Sequence, residues 1–189
     1  MSPARLITDL GDLFPATAVA AVVFGWCWAK LDRLTAMTFA VCFAGTVVVD
    51  TVLKVAAGQM FPYPDGIDLF QLSSGAPSGH AALATMVYGA AFVLFATTCR
   101  GGPAVLGAIG TLLALAAVLV TRVTLRTHTI ADVGAGVVVA ACFVLLFDRV
   151  RARRDHPRGD GAPALLLGMV LVGAFALLSG VRISSDMFL

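Results

Sequence analysis

The 189-residue chain contains no glutamate; all eleven of its acids are aspartate, so Glu–Lys pairing along helix faces cannot occur. Charge of either sign is scarce, at 13% of residues, and a net charge of +2 is too small to mark a nucleic-acid binder. The four cysteines, Cys27, Cys42, Cys99 and Cys142, fall one to each apolar run, a spacing that excludes both a zinc site and a disulfide framework. They are expected to be small core residues. The first residues lack the basic start and small-residue cleavage site of a signal peptide, and no internal repeat is present. No acidic cluster offers itself to magnesium and no histidine–cysteine set to zinc, so the chemistry is expected to need no metal and no cofactor.

What the chain has in excess is apolar surface. Hydrophobic residues make up 59% and the mean hydropathy is +0.94, which fits a polytopic membrane protein rather than a soluble domain. A helical span needs about 20 apolar residues. Six candidates are predicted, at roughly 14–29, 34–54, 80–99, 104–121, 130–147 and 163–181. The expected fold is therefore an all-α, six-transmembrane-helix bundle, with residues 1–189 forming one membrane-embedded domain. Residues 4–13, where Leu6, Ile7, Leu10 and Leu13 alternate with Arg5, Asp9 and Asp12, read as a short interfacial amphipathic helix. Trp26, Trp28 and Lys30 read as an interface anchor closing the first span. Asp50 and Lys54, one turn apart, could simply neutralise each other. The Gly58–Pro77 connection is irregular, with Pro62, Pro64, Gly66, Gly75 and Pro77. Its apolar members Phe61, Ile67, Leu69, Phe70 and Leu72 predict packing on the bundle, and connections of this length are more often functional than idle. Small residues at Gly107–Gly110, Gly134–Gly136 and Gly168 with Gly173 predict close helix contacts. Arg149–Gly161 is a hydrophilic linker with five arginines, and its His156 is expected to be solvated.

The bases divide unevenly between the two sides. Connections after spans one, three and five carry Lys30, Arg33, Arg100, Arg149, Arg151, Arg153, Arg154 and Arg158; the other side carries Arg5, Lys54, Arg122, Arg126 and Arg182. The positive-inside rule then puts the 149–161 linker in the cytoplasm and both termini outside.

On that outward side lies a polar island, Thr121-Arg122-Val123-Thr124-Leu125-Arg126-Thr127-His128-Thr129-Ile130-Ala131-Asp132. Ionisable groups at a membrane edge are costly, so a cluster of them is either a functional site or polar glue between helices. His128 and Asp132 are four residues apart, a spacing at which a carboxylate can orient an imidazole. Pro77-Ser78-Gly79-His80 lies on the same side, just before the third span. Ser78 suits an N-cap, and the free amides of a helix start favour anions. Lys54 ends the second span there, with Pro62 eight residues on. A lysine, a helix start with a histidine, and an arginine with a His–Asp pair together describe a phosphate site. The cations would neutralise its oxygens, and two histidines could divide nucleophile and acid–base roles.

The order Lys54…Pro62, Pro77-Ser78-Gly79-His80 and Arg122…His128…Asp132 resembles the three-part signature of the type 2 phosphatidic acid phosphatase superfamily. That superfamily includes membrane lipid phosphatases, polyprenyl diphosphate phosphatases and vanadium haloperoxidases. The resemblance implies that His128 attacks phosphorus to form a phosphohistidine and that Asp132 orients it. It further implies that His80 protonates the leaving oxygen, and that Lys54, Arg122, Ser78 and the Gly79 amide hold the phosphoryl oxygens. The implied substrate is a membrane lipid phosphate: a polyprenyl diphosphate, phosphatidylglycerol phosphate, phosphatidate or lipid A phosphate. No nucleic acid and no obligate protein partner are expected, and the implied location is a bacterial inner membrane with the site facing outward.

The chain departs from the family pattern at Phe61, where an arginine is usual before the proline, and at Thr121, where a serine is usual. Arg126, two residues before His128, either substitutes for the missing arginine in the phosphate clamp or meets lipid headgroups. Family members commonly have three spans before the first signature part, whereas two precede Lys54 here; an outward N-terminus reconciles the count. A phosphotransferase would use the same residues, and a non-catalytic lipid-binding protein is the alternative that Phe61 leaves open.

Overall fold

The computed structural model describes residues 7–60, 76–154, 156 and 158–179. Six helices carry these residues: α1 (Leu13–Lys30), α2 (Arg33–Met60), α3 (Gly79–Thr98), α4 (Gly102–Thr124), α5 (Ile130–Ala152) and α6 (Ala162–Leu178). The first five have lengths and compositions sufficient to cross a membrane, whereas the apolar helix α6 has 17 residues. Among the described residues, then, five spans stand clear and the sixth is a shorter apolar helix. Most boundaries fall close to the predicted ones; α2 overshoots, so Lys54 sits inside the helix rather than at its end.

Helix α3 is the hub. It is apolar on every face, with six alanines, and most of its side chains are buried. It packs chiefly against α4 and α5 and also touches α1 and α2, while α6 lies mainly along α1. Between apolar helices in lipid, association rests on close van der Waals packing, which small residues permit. Gly136 of α5 meets the start of α3, where a Cβ would lie 2.5 Å from the Ser78 carbonyl oxygen. Gly107 faces the Phe95 ring and Gly168 faces Val22, whereas Gly110 and Gly134 meet nothing. Gly173 also meets Val19 of α1, so four of the six predicted small-residue positions serve packing. The largest buried side chains include Phe39 and Phe147, whose rings meet edge to face at 5.8 Å.

One end of the bundle is tied by the segment before α6. Gly159 accepts from the Arg100 amide and donates to the Thr98 carbonyl, and Trp26 Nε1 donates to the Gly161 carbonyl at 3.0 Å. Trp26 is thus an internal tie, 8% exposed, rather than an interface anchor; Trp28 is exposed, with the Arg33 guanidinium over its ring. His156 is not solvated either. Its Nε2 lies 2.8 Å from Asp32 Oδ2, because the linker folds back onto the α1–α2 corner. Cys27, Cys42 and Cys99 are buried as expected, but Cys142 is exposed.

The N-terminal segment departs most from its expected place. Residues 7–9 are helical and 10–12 turn into α1, and this segment folds onto the bundle, with Thr8 buried and the Leu10 carbonyl accepting from Tyr88 Oη at 3.3 Å. The predicted packing of Phe61, Ile67, Leu69, Phe70 and Leu72, with Pro62, lies outside the described residues, as do Arg5 and Arg182.

Gly136 leads to a test. Gly136→Val overpacks the α3–α5 contact and should destabilise the fold by about 1–3 kcal/mol. Thermal unfolding in detergent should show the drop, and an unchanged melting temperature would mean that this approach is looser than described.

Candidate active site

At the end of the bundle opposite the His156 tie, four elements converge. Lys54 comes from α2, Ser78 to His80 from the start of α3, Arg122 from the last turn of α4, and His128 and Asp132 from the α4–α5 corner. The start of α3 is bound to that corner through the Ser78 amide, which donates to the Asp132 carbonyl at 3.0 Å. On the other flank, a Cβ at Gly79 would lie 2.7 Å from Lys54 Nζ. Only glycine lets an ammonium approach this close to the first amides of a helix. Lys54 is held there by Asp50 at 2.9 Å, so the one-turn pair does form and also places the lysine.

The corner itself is built by local chemistry. Helix α4 ends at Leu125, whose amide reaches back to the Thr121 carbonyl, and Arg126 then takes φ 56° to turn the chain. The Thr127 hydroxyl and the His128 amide both donate to the Arg122 carbonyl. Thr129 caps α5 in a reciprocal capping box with Asp132. One Asp132 oxygen, Oδ2, accepts from the Thr129 amide at 2.9 Å and lies 3.9 Å from His128 Nδ1. That distance is an ion-pair contact rather than a hydrogen bond. The carboxylate faces Nδ1, which leaves Nε2 as the nitrogen free to meet a ligand.

Five polar atoms at this end are buried without a hydrogen-bond partner among the described residues: Ser78 Oγ, Arg122 Nε, both ring nitrogens of His128, and Oδ1 of Asp50, whose other oxygen is taken by Lys54. Ser78 is the N-cap residue of α3, yet its side chain makes no capping bond. Buried polar groups are almost always paired in folded proteins, so several orphans in one place describe a site that an external group completes. That group must accept hydrogen bonds and carry negative charge. Arg122 is 8% exposed; its guanidinium donates to Thr8 Oγ1 at 3.4 Å, and Asp12 and Asp9 also bear on it electrostatically. Burial pushes the ionisation of His128 down to about 4, Arg122 adds to that, Asp132 opposes it and Lys54 adds again. His128 is therefore neutral at physiological pH, the form a nucleophile requires.

Comparison with protein families bears on this arrangement. A model described as PAP2 superfamily matches residues 33–156, about two thirds of the chain, a range that contains all three motif elements. The chain belongs to the PAP2 superfamily. No curated protein and no solved structure matches it. Membership supports phosphatase-type activity on phosphate esters at the family level. Lys54, Ser78, Gly79, His80, Arg122, His128 and Asp132, the residues that carry the resemblance, lie together at one end of the bundle. Arg126 does not join them closely: its side chain is exposed, at the turn. Phe61 lies outside the described residues.

Two contributions escape the motif reading. Asp50 looked like mere neutralisation, and Asp12 looked like the wet face of a surface helix. Asp12 Oδ1 instead accepts from the Leu13 amide as the N-cap of α1, and it lies 3.7 Å from His80 Nε2. Its signal in the sequence was the cap, an aspartate directly before an apolar helical run.

The depressed ionisation of His128 has a consequence for stability. In the unfolded chain it would take up a proton near 6.5, but in the folded chain only near 4. Between those values the unfolded state binds the extra proton, so stability must fall as pH drops through that window. Thermal unfolding of the parent should lose more between about pH 7 and pH 5 than that of His128→Gln, which lacks the titrating group. Equal losses in the two proteins would contradict the assignment.

Proposed function

We propose that this PAP2 protein is a metal-free membrane lipid phosphatase that works through a phosphohistidine on His128. The observation that carries the reading is the set of unpartnered buried atoms on Ser78, Arg122 and His128, next to Lys54 and the first amides of α3. A phosphoryl group supplies acceptors for each donor and offsets the two cations.

In this mechanism Lys54, Arg122, Ser78 Oγ and the Gly79 amide hold the phosphoryl oxygens. His128 Nε2 attacks phosphorus in line, and the bond from phosphorus to the lipid oxygen breaks. His80 gives its proton to that leaving oxygen. Water then attacks the phosphohistidine, His80 takes up the water proton, and inorganic phosphate leaves with His128 restored. Asp132 orients the imidazole and offsets its transient positive charge. The lipid class is supported by the setting, since the site lies at one end of a bundle of long apolar helices, where a tail can lie between helices while the headgroup reaches the polar end. The concentration of bases at the opposite end supports an outward-facing site in a bacterial inner membrane. A polyprenyl diphosphate is the favoured substrate on the resemblance, with phosphatidylglycerol phosphate, phosphatidate and lipid A phosphate as the further candidates.

Purified protein in detergent, with chelator present, should release phosphate from at least one of farnesyl diphosphate, phosphatidate and phosphatidylglycerol phosphate, and vanadate should inhibit it. His128→Ala should lower kcat by at least about a thousand-fold, as loss of a nucleophile does. Full activity in that variant, or strict dependence on added metal, would overturn the mechanism. Transfer of phosphate to an added lipid alcohol with no free phosphate would make it a phosphotransferase instead.

Arg122 and Arg126 should separate cleanly. Arg122→Ala should cost about a hundred-fold or more in kcat/KM, because a buried donor to the phosphoryl group is lost. Arg126→Ala should stay within about three-fold, as expected of an exposed side chain that meets headgroups. A loss for Arg126→Ala comparable to that for Arg122→Ala would show that Arg126 replaces the arginine absent at Phe61.

A further inference from the structure

The residues before α1 carry more than a helix cap. The turn at 7–12 is fixed against the site at several points. Thr8 Oγ1 accepts from Arg122, and the Leu10 carbonyl accepts from Tyr88 Oη. Gly11 is wedged so tightly that a Cβ would lie 2.8 Å from Val118 Cγ1 and 3.1 Å from the His80 carbonyl oxygen. Asp12 follows, its carboxylate held in place by its bond to the Leu13 amide. A carboxylate anchored in this way at the rim of a phosphate site is unexpected, because it repels the anion the site is meant to hold. Its position explains it: Asp12 Oδ1 is 3.7 Å from Nε2 of His80.

We infer that Asp12 is the positioning residue of the acid–base histidine, so that the site contains two histidine–aspartate pairs, His128–Asp132 for attack and His80–Asp12 for proton transfer. The inference rests on the phosphatase reading above. The charged groups that bear on His80 come from every side: Lys54 with Asp50 from α2, Arg122 from α4, His128 from the α4–α5 corner and Asp12 from the N-terminal turn. Three of these, Lys54, Arg122 and His128, are cationic or can become so. Asp12 is the carboxylate within ion-pair distance of the ring, where its charge can attract an imidazolium. No bond changes at Asp12 itself. It holds the imidazolium until the proton passes to the leaving oxygen as the P–O bond breaks, and it favours recovery of a proton from the attacking water.

Asp12→Asn tests this, because asparagine is as good an N-cap as aspartate and leaves α1 intact. Phosphate release from phosphatidate and from farnesyl diphosphate would be followed from about pH 5.5 to 8.5 for parent and variant, alongside thermal unfolding. The expected result is a descending alkaline limb of kcat/KM moved to lower pH by about one unit, hence a deficit of about ten-fold near pH 8 that closes toward pH 5.5, with an unchanged melting temperature. A deficit of equal size at every pH would mean a purely structural role and overturn the inference. So would an unchanged profile, or a variant faster than the parent throughout, which would make the turn an inhibitory plug. Asp12→Ala, which also loses the cap, should show the same displaced limb together with a lowered melting temperature. A parent protein that releases no phosphate from either substrate overturns the phosphatase reading and this inference with it; an active parent with an unaltered Asp12→Asn profile overturns this inference alone.

Discussion

Leaving a guanidinium nitrogen, a hydroxyl and an imidazole buried and unpartnered costs free energy, and the polar end of this bundle is organised around holding them so. A single unsatisfied buried donor or acceptor costs about 1–3 kcal/mol. Ser78, Arg122 and His128 together are a local instability that the rest of the fold must offset. The offset comes from α3, the helix with most of its side chains buried, whose close packing fixes the position of its own first turn. An anion that occupies the gap recovers the lost hydrogen bonds at once, which is how binding energy becomes available for catalysis.

The surrounding charges follow from the same constraint. Two cations facing a buried gap would repel each other and depress the basicity of both histidines, so each polar element is met by a carboxylate. Lys54 has Asp50, His128 has Asp132, and His80 has Asp12, at 2.9, 3.9 and 3.7 Å. The longer two contacts are ion-pair distances rather than hydrogen bonds, so the rings remain available to a ligand. These pairs place side chains more than they stabilise the fold, since desolvation offsets much of the attraction between buried charges.

The opposite end solves a different problem. There the bases gather, and the chain between α5 and α6 is tied down by Trp26, Asp32, Thr97 and Thr98. His156 is in effect a structural histidine, and its pairing with Asp32 could not be read from a linker whose composition is merely hydrophilic.

The sequence by itself determined the helices and the chemistry of the site. Apolar runs of span length can satisfy their backbone only as helices, and the spacing from His128 to Asp132 is one helical turn. A Pro-Ser-Gly-His string before an apolar run marks a helix start whatever surrounds it. The family follows from those residues too. The tertiary structure decided what lies beside what. It set Asp12 against His80, Asp50 and Lys54 against Gly79, and Asp32 against His156. It also left Arg126 exposed, at a left-handed turn. Contacts of this kind join residues distant along the chain, and which face of an amphipathic turn is covered depends on the neighbour it meets. Periodicity marks a face as polar, but packing alone determines whether that face meets water or, as at Asp12, the ring of His80.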